Sequence, residues 1–488
     1  MADLIRIHPR DNVAVALRPI PAGTETPWGR AEEIPQGHKM ALEKIELGTP
    51  VIKYGFPIGY ATAPIEPGQW VHAHNVKTAL SEKADYTYTP TQYSQPPARE
   101  LTFQGYLRPD GRAATRNEIW IIPTVGCVNS TAQALAAQSQ ALCTGTLDGI
   151  YAFPHPYGCS QMGDDHARTR KLLAALCRHP NVGGVLVLGL GCENNTVEAF
   201  RQELGEFDPD RVKFLVCQQV EDELAEGHRL LEKLAAYCSR FRREALPLSK
   251  LVVGMKCGGS DGLSGITANP TVGAFSDQLI ACGGSSILTE VPEMFGAEQL
   301  LLNRCRDRQT FEAAVAMING FKHYFTSHGQ VVYENPSPGN KAGGITTLED
   351  KSLGCVQKGG TAPVSGVLDY GDSLRTPGLN LLYGPGNDLV STTALTAAGA
   401  QVILFTTGRG TPFGAPVPTV KISTNDRLST EKTGWIDFSA GPVADGEPVA
   451  QAAERLLQYV IAVASGEKTA ADRRGYREIA IFKDGVTM

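Results

Sequence analysis

The stretch Val185–Asn195, VLVLGLGCENN, begins with four aliphatic residues and continues through Gly-Leu-Gly into a cysteine. Such a run predicts a buried parallel strand that ends in a tight turn. A dinucleotide-binding fingerprint would have its third glycine after Cys192 and Glu193, where this loop has Asn194. The stretch therefore predicts a parallel α/β sheet, and it argues against a nucleotide-binding loop.

The same alternation of strand and helix extends along the chain. EIWIIPTV, GIYAFP and VKFLVCQQ read as strands, and each is followed by a helical pattern, so residues 103–245 are predicted to form an α/β domain. Residues 246–488, with SSILTEVP and QVILFTTG, predict a second α/β domain, again with a mainly parallel sheet. Residues 1–80 predict a small β-rich domain with recurring I-x-x-G turns, and residues 81–102 an extended linker.

Composition excludes several classes of function. The 488 residues are 42% hydrophobic and carry a net charge of −6 without clustered basic residues, which argues against a nucleic-acid or membrane partner. The first residues, MADLIRIHPRDN, lack the apolar segment of a signal peptide, so we expect a cytoplasmic protein. In that compartment the eleven cysteines are expected to be thiols, metal ligands or core residues rather than disulfides.

Three Gly-Cys pairs follow three successive predicted strands. PTVGC, HPYGC and GLGC place Cys127, Cys159 and Cys192 at the carboxyl ends of strands, where α/β sheets bind ligands. Thiolates that converge there suit iron, as a single ion or an iron–sulfur cluster, or zinc. The alternative is that small cysteines pack beneath glycine turns.

Histidines offer a second set of metal ligands. In WVHAHN, His72 and His74 would share one face of a strand, and His38 lies in the same small domain. The alternative is a polar strand edge that leads into the linker. In GDDHARTR, His166 lies at the start of a helix beside two acids that read as ordinary capping residues.

Three long polar loops predict a pocket for a polyhydroxylated anion. They are KCGGSDGLSGITANP (256–270), YENPSPGNKAGGITTLEDKSLG (333–354) and TTGRGTPFG (406–414). Arg409 and Lys341 are expected to hold a carboxylate. The residues expected to hold hydroxyl groups are Ser260, Asp261, Thr267, Asn269 and Asn340. Plain turn chemistry is the alternative.

Over nearly its full length the chain resembles the altronate/galactarate dehydratase family. The N-terminal strings HPRDNVAVAL, IPQGHKMAL and VIKYGFPIGYA resemble its SAF-type β-clip domain. YGCSQMGDDH, GLGCENN, CGGSDGLSGITANP, TEVPEMFGAEQLL, NPSPGNKAGGITTLEDKSLGC and TTGRGTPFG continue the resemblance. HAHN and GCENN are similar to the altronate branch rather than the galactarate branch.

The resemblance implies an iron-dependent hydro-lyase of hexuronate catabolism that converts D-altronate into 2-dehydro-3-deoxy-D-gluconate and water. It implies iron, expected as Fe²⁺ with Mn²⁺ as a substitute. The three Gly-Cys pairs leave an iron–sulfur cluster as the alternative cofactor. We expect a small sugar acid as the substrate and a homo-oligomer as the assembly. Galactarate or another aldonate or aldarate is the alternative substrate, and an NAD-dependent sugar-acid dehydrogenase is the distant alternative.

Such a dehydration removes the C2 proton and expels the C3 hydroxyl as water, which requires a base, an acid and a Lewis acid. His166 and Lys341 are the expected catalytic groups, with Glu193 as a third candidate. For the metal, His72, His74 and His38 are preferred, because imidazole suits a mononuclear Fe²⁺. Cys127, Cys159 and Cys192 are the alternative set.

Overall fold

The computed structural model describes residues 3–80 and 85–487, so the first four residues of the predicted 81–102 linker lie outside the described residues. The N-terminal part is made of short antiparallel strands ordered β1-β2-β5-β8 and β6-β7-β9, with the hairpin β3-β4 beside them. Its strands are β1 (Leu4–Ile5), β2 (Val13–Ala16), β3 (Glu25–Thr26), β4 (Gly29–Arg30), β5 (Lys39–Ala41), β6 (Pro50–Lys53), β7 (Phe56–Ala61), β8 (Trp70–Val71) and β9 (Val76–Lys77).

The middle part contains a four-stranded parallel sheet in the order β13-β12-β14-β15 and a small antiparallel sheet, β11-β10-β16. Its elements are β10 (Thr102–Leu107), β11 (Ala113–Ala114), β12 (Glu118–Pro123), α1 (Asn129–Gln138), β13 (Gly149–Ala152), α2 (Gly163–Cys177), β14 (Val182–Gly189), α3 (Val197–Leu204), β15 (Val212–Val216), α4 (Glu223–Cys238) and β16 (Arg243–Pro247). All eight residues of β14 are buried. The parallel strand predicted from the aliphatic run is confirmed.

The C-terminal part is built on a seven-stranded parallel sheet in the order β19-β20-β18-β17-β21-β22-β23. Its elements are β17 (Val252–Cys257), α5 (Ala268–Ala281), β18 (Ser285–Leu288), α6 (Glu298–Leu302), α7 (Arg308–Ser327), α8 (Pro338–Ala342), α9 (Leu348–Cys355), β19 (Val364–Leu368), β20 (Leu379–Leu382), α10 (Asp388–Ala397), β21 (Val402–Thr407), β22 (Thr419–Ser423), α11 (Asp426–Glu431), β23 (Phe438–Ser439), α12 (Val449–Ala464) and α13 (Ala470–Arg474). The predicted fold class, a small β-rich domain followed by α/β domains with parallel sheets, is confirmed.

A buried ionic bridge joins the N-terminal part to α9. The ammonium groups of Lys39 and Lys53 lie 2.8 and 2.9 Å from the two carboxylate oxygens of Asp350. Lys39 also donates to the carbonyl of Gly344, at 2.7 Å. Burial would raise the pKa of the Asp350 carboxyl, but the two lysines outweigh it and hold that pKa well below its usual range. The bridge fixes α9 against the N-terminal strands.

Among the described residues, we find no helix that combines the length and the apolar character needed to cross a membrane.

Candidate active site

A cavity of about 500 Å³ opens at the carboxyl edge of the seven-stranded sheet. Four neighbouring strands bring residues to it: Cys257 ends β17, Glu293 follows β18, Asp388 follows β20 and Arg409 follows β21. One wall is apolar, made by Phe321, Tyr324, Phe325, Val331, Val332 and Phe482. Ligands of parallel α/β folds bind at this edge, so the position marks the cavity as the candidate site.

The floor of the cavity is a chain of buried polar contacts. Lys351 Nζ lies 2.8 Å from Glu293 Oε1, and Glu293 Oε2 lies 2.9 Å from Cys257 Sγ. Cys257 Sγ also receives a hydrogen bond from Lys358 Nζ at 3.0 Å and lies 3.4 Å from Cys355 Sγ. Two cations, a carboxylate and two sulphurs therefore share a space from which water is excluded.

A second ion pair supports the same floor. Lys256 Nζ lies 3.0 Å from Glu290 Oε1 and contacts Asp388, whose side chain reaches the cavity. Glu290 accepts a hydrogen bond from the backbone N–H of Cys257 at 2.8 Å. The backbone of Glu290 is left-handed, with φ of 70°, a conformation that costs free energy in a residue other than glycine. The surrounding contacts hold Glu290 in this position, beneath Cys257.

Electrostatics favour the ionised forms of Glu293, Cys257 and Lys351 at this floor. Burial would raise the pKa of Glu293, but Lys351 and Lys358 outweigh it and lower that pKa to about 2. The hydrogen bond from the Cys355 thiol, supported by the nearby lysines, lowers the pKa of Cys257. Burial alone would lower the pKa of Lys351, but the neighbouring Glu293 raises it above its usual value. Glu293 is therefore a carboxylate and Lys351 an ammonium at neutral pH.

Cys257, Glu293 and Cys355 also have the arrangement of a metal site. Within residues 3–80 and 85–487 they are the one group of three His, Cys, Asp or Glu residues whose ligand atoms all lie within 4.8 Å of one another. Two thiolates and a carboxylate suit a soft or borderline divalent ion such as Fe²⁺ or Zn²⁺. The lowered pKa of Cys257 favours its thiolate, so a divalent ion would displace one proton, that of the Cys355 thiol. The residues present fit a metal ion.

The mouth of the cavity carries neutral and cationic hydrogen-bonding groups. Lys351 Nζ contacts Asn335 Oδ1 at 3.1 Å and Asn340 Oδ1 at 3.2 Å. Arg409 is exposed at the rim and donates to the carbonyl of Gly339 at 2.9 Å, which leaves guanidinium donors for a ligand. The predicted substrate-binding residues Asn340 and Arg409 both line the cavity.

The other residues predicted to hold hydroxyl groups do not line the cavity. Asp261 Oδ2 accepts from Thr424 at 2.9 Å, and Thr267 Oγ1 donates to the Thr424 carbonyl at 2.8 Å. Asn269 donates to the Gly354 carbonyl and accepts from the Thr406 hydroxyl. The polar atoms of these three side chains therefore already bond to other groups of the protein. Ser260, which is buried, accepts at its carbonyl from Asn340 Nδ2 at 2.9 Å. The hydrogen bond to Ser260 helps to hold Asn340 at the cavity.

The predicted catalytic groups do not line the cavity. Lys341 is exposed on α8, and His166 lies on α2 with its ring nitrogen 3.1 Å from Arg170. Glu193 supports its own loop, since it accepts hydrogen bonds from Thr124 Oγ1 at 2.7 Å and from the Gly191 N–H at 2.6 Å. Burial would raise the pKa of Glu193, but these hydrogen bonds lower it.

The three predicted histidine ligands lie near one another but are engaged in other contacts. The rings of His38 and His72 are 4.9 Å apart, and His74 packs on Trp70. His38 Nδ1 accepts from Trp70 at 3.1 Å, while its Nε2 faces the Ala342 carbonyl at 3.3 Å. His72 Nδ1 lies 3.1 Å from the Thr346 hydroxyl. The histidines therefore contact the loop that leads to α9, and their assignment as metal ligands stays a prediction.

Sequence reasoning missed the floor of the cavity. Cys257 lies at the carboxyl end of a strand, as the three predicted cysteines do. The argument from strand ends would therefore have found it as well. Glu293 lies in a string that carried only the family resemblance, and Lys351 lies in the polar loop 333–354 without being singled out there. Their 58-residue separation along the chain gives no local signal of contact.

Profile comparisons assign the whole chain to one family. Residues 2–79 match the altronate/galactarate dehydratase SAF domain, residues 105–239 the D-galactarate dehydratase/altronate hydrolase second domain, and residues 248–487 the D-galactarate/altronate dehydratase C-terminal domain. The protein belongs to the altronate/galactarate dehydratase family, and the predicted family membership is confirmed.

Curated relatives span the same length. The chain is 53% identical to altronate dehydratase of Escherichia coli (strain K12), over 99% of both chains. It is 51% identical to altronate dehydratase of Bacillus subtilis (strain 168), over 100% of both. Identity to galactarate dehydratase (L-threo-forming) of Escherichia coli (strain K12) is 34%, over 98% of this chain and 96% of the relative.

Proposed function

We propose that this protein is a hydro-lyase that dehydrates D-altronate to 2-dehydro-3-deoxy-D-gluconate. The observation that carries the proposal is identity of 53% and 51%, over essentially the whole chain, to two altronate dehydratases. The galactarate dehydratase relative is 34% identical, so galactarate is the second candidate substrate.

The cavity supports binding of a sugar acid. Its volume of about 500 Å³ lies within the usual range for small-molecule sites. Arg409 at the rim would bind the substrate carboxylate, and Asn335 would bind hydroxyl groups. The side-chain oxygen of Asn340 already accepts from Ser337 and Lys351, so Asn340 would bind a hydroxyl group only through its amide N–H. The apolar wall around Phe321 would exclude water from the reacting carbons.

Groups that line the cavity would carry out the proton transfers. Asp388, a carboxylate of the cavity held by Lys256, would take the C2 proton. The ammonium of Lys351 would stabilise the negative charge that develops on the substrate, and it would assist departure of the C3 hydroxyl. An Asp388→Asn variant should therefore fail to exchange the C2 proton of altronate with solvent deuterium.

The iron that the family resemblance implies would be held by Cys257, Glu293 and Cys355. When bound, it would supply Lewis acidity toward the substrate oxygens. All eleven cysteines are free thiols, which supports a reducing, cytoplasmic setting for such a site.

The test is a substrate panel. Protein purified anaerobically with ferrous iron would be assayed on altronate, galactarate and other aldonates and aldarates, with 2-keto acid release as the readout. We expect turnover of altronate at a rate well above every other acid. Faster turnover of galactarate, or no dehydration of any acid by metal-loaded protein, would overturn the proposal.

A further inference from the structure

The exposed cysteines of this chain all lie at one edge of one sheet. Among its eleven cysteines, Cys127, Cys159 and Cys192 are exposed, and the other eight are buried or half-buried. Free cysteine is ordinarily among the most buried residue types, so three exposed thiols need an explanation. All three follow strands of the same four-stranded parallel sheet, at its carboxyl edge.

The loops that carry these cysteines interlock through their backbones. The N–H of Gly126 donates to the Tyr157 carbonyl at 2.8 Å, and the N–H of Asn195 donates to the Gly158 carbonyl at 2.9 Å. The side chain of Asn195 also donates to the Thr124 carbonyl at 3.0 Å. The three loops therefore form one platform, which we call the cysteine platform (residues 124–128, 155–160 and 190–195).

The glycine before each cysteine makes this close approach feasible. A Cβ on Gly126 would lie 2.8 Å from the His155 carbonyl oxygen, and one on Gly158 would collide with the Thr124 carbonyl. Gly191 has φ of 127°, and a Cβ there would lie 2.8 Å from the Gln218 side chain. The Gly-Cys pairs thus bring the backbones together and leave the thiols at the surface, which contradicts the alternative of cysteines packed beneath turns.

The spacing of the sulphurs argues against one metal ion bound by all three. They do not all lie within 4.8 Å of one another, and two ligands of one zinc ion cannot be further apart than about 4.6 Å, because each Zn–S bond is about 2.3 Å long. An iron–sulfur cluster binds thiolates through separate irons and therefore spans a wider set. The sulphurs have weak partners: Cys159 Sγ lies 3.5 Å from Asn194, and Cys192 Sγ accepts from Gln218 at 3.5 Å.

We propose that Cys127, Cys159 and Cys192 bind an iron–sulfur cluster on the cysteine platform, with one iron left without a protein ligand. None of the three lines the cavity of the candidate active site, so this site is separate from Cys257, Glu293 and Cys355. The inference does not depend on altronate being the substrate.

The test uses the full chain, purified anaerobically and reconstituted with ferrous iron and sulfide. Iron, acid-labile sulfide and visible absorption would be measured for the wild type and for Cys127→Ser, Cys159→Ser and Cys192→Ser. Serine at these exposed positions should not disturb folding, which circular dichroism would check. Cys143→Ser, a half-buried cysteine of the same domain, is the matched control, and Cys257→Ser reports on the other site.

We expect roughly four sulfide and five iron per chain, four of the irons in a [4Fe–4S] cluster and one at Cys257, Glu293 and Cys355, with broad visible absorption from the cluster. Each of the three platform variants should lose most of that absorption, while Cys143→Ser and Cys257→Ser retain it. Iron without sulfide, zinc alone, or absorption that survives in all three variants would overturn the inference. So would absorption that disappears in Cys257→Ser.

Discussion

Lys351 Nζ lies 2.8 Å from Glu293 Oε1, and this pair joins α9 to the turn after β18 at the floor of the cavity. Both side chains are almost fully buried, so each charge depends on the other for compensation. The pair therefore connects the buried contacts that hold α9 in place with the groups that we propose for catalysis.

Replacing Lys351 should impair chemistry more than binding. In Lys351→Gln the amide can still donate to Glu293, but the positive charge is lost, and we expect kcat to fall by about 10²–10⁴-fold with little change in KM. Steady-state kinetics on altronate would measure this, with the thermal midpoint as the folding check.

Lys341→Gln provides the comparison, because Lys341 is the lysine that the sequence favours as a catalytic group and it lies outside the cavity. Its kcat should stay near that of the wild type. If the Lys341 variant loses C2 proton exchange and the Lys351 variant keeps it, the structural assignment is wrong.

Cys257→Ser and Cys355→Ser should each lose the metal ion. Removing a direct ligand is expected to weaken iron binding by more than about 100-fold, since even outer partners of ligands contribute 10–100-fold. Cobalt(II) loaded into the wild type should give thiolate charge-transfer absorption that both variants lack.

The double variant His72→Ala/His74→Ala tests the competing assignment, in which the histidines bind the metal ion. We expect it to retain this metal ion, because His72 Nδ1 already faces the Thr346 hydroxyl and the ring of His74 packs on Trp70. Loss of the metal ion from the histidine variant, with retention in both cysteine variants, would place the metal in the N-terminal domain.

Arg409→Gln should weaken substrate binding. A hydrogen bond from a charged donor is worth about 1.5–3 kcal/mol, so KM for altronate should rise by roughly 10–100-fold. Arg427→Gln, an exposed arginine paired with Glu431 on α11, is the matched control and should leave KM unchanged. Equal KM values for both variants would exclude Arg409 as the carboxylate ligand.

Asp350→Asn should destabilise the whole protein. It leaves Lys39 and Lys53 buried without a countercharge, which we expect to cost about 3–5 kcal/mol of unfolding free energy in urea titrations. Glu46→Gln, which breaks an exposed pair with Lys44, should cost less than about 1 kcal/mol. A small effect at Asp350 would show that the bridge contributes little to stability.

Acidification should destabilise the fold through His179. Burial lowers the pKa of this ring from 6.5 to about 3, while its Nε2 faces the Ala400 carbonyl at 3.0 Å. The unfolded chain therefore binds more protons, and stability is lost as pH falls from about 6.5 toward 3. Between about pH 7 and pH 5 this amounts to about 2 kcal/mol.

Urea titrations at both pH values would measure that loss. His179→Gln removes the titrating group and should reduce the loss by that amount. His323→Gln, on the exposed face of α7, should leave the loss as large as in the wild type. An unchanged loss in His179→Gln would contradict the assignment.

The fold could be predicted because its signals are local. The aliphatic run before Cys192 specifies a buried strand, and the alternation with helical patterns specifies a parallel sheet. The candidate site could be predicted only in part. Loop composition points to Arg409 and Asn340, which line the cavity, but it points equally to Asp261 and Thr267, which do not line it and bond to Thr424. One sequence does not distinguish a polar side chain that faces a ligand from one that satisfies a loop.

Consecutive residues of α9 serve different parts of the molecule: Asp350 bonds to the N-terminal strands, while Lys351 faces the cavity. Cys355 lies one turn further along, at i+4 from Lys351. Inserting or deleting one residue within this helix would rotate everything after it by about 100° and separate these partners. The length of α9 is therefore fixed, and changes in length should be tolerated only in the loops on either side of it.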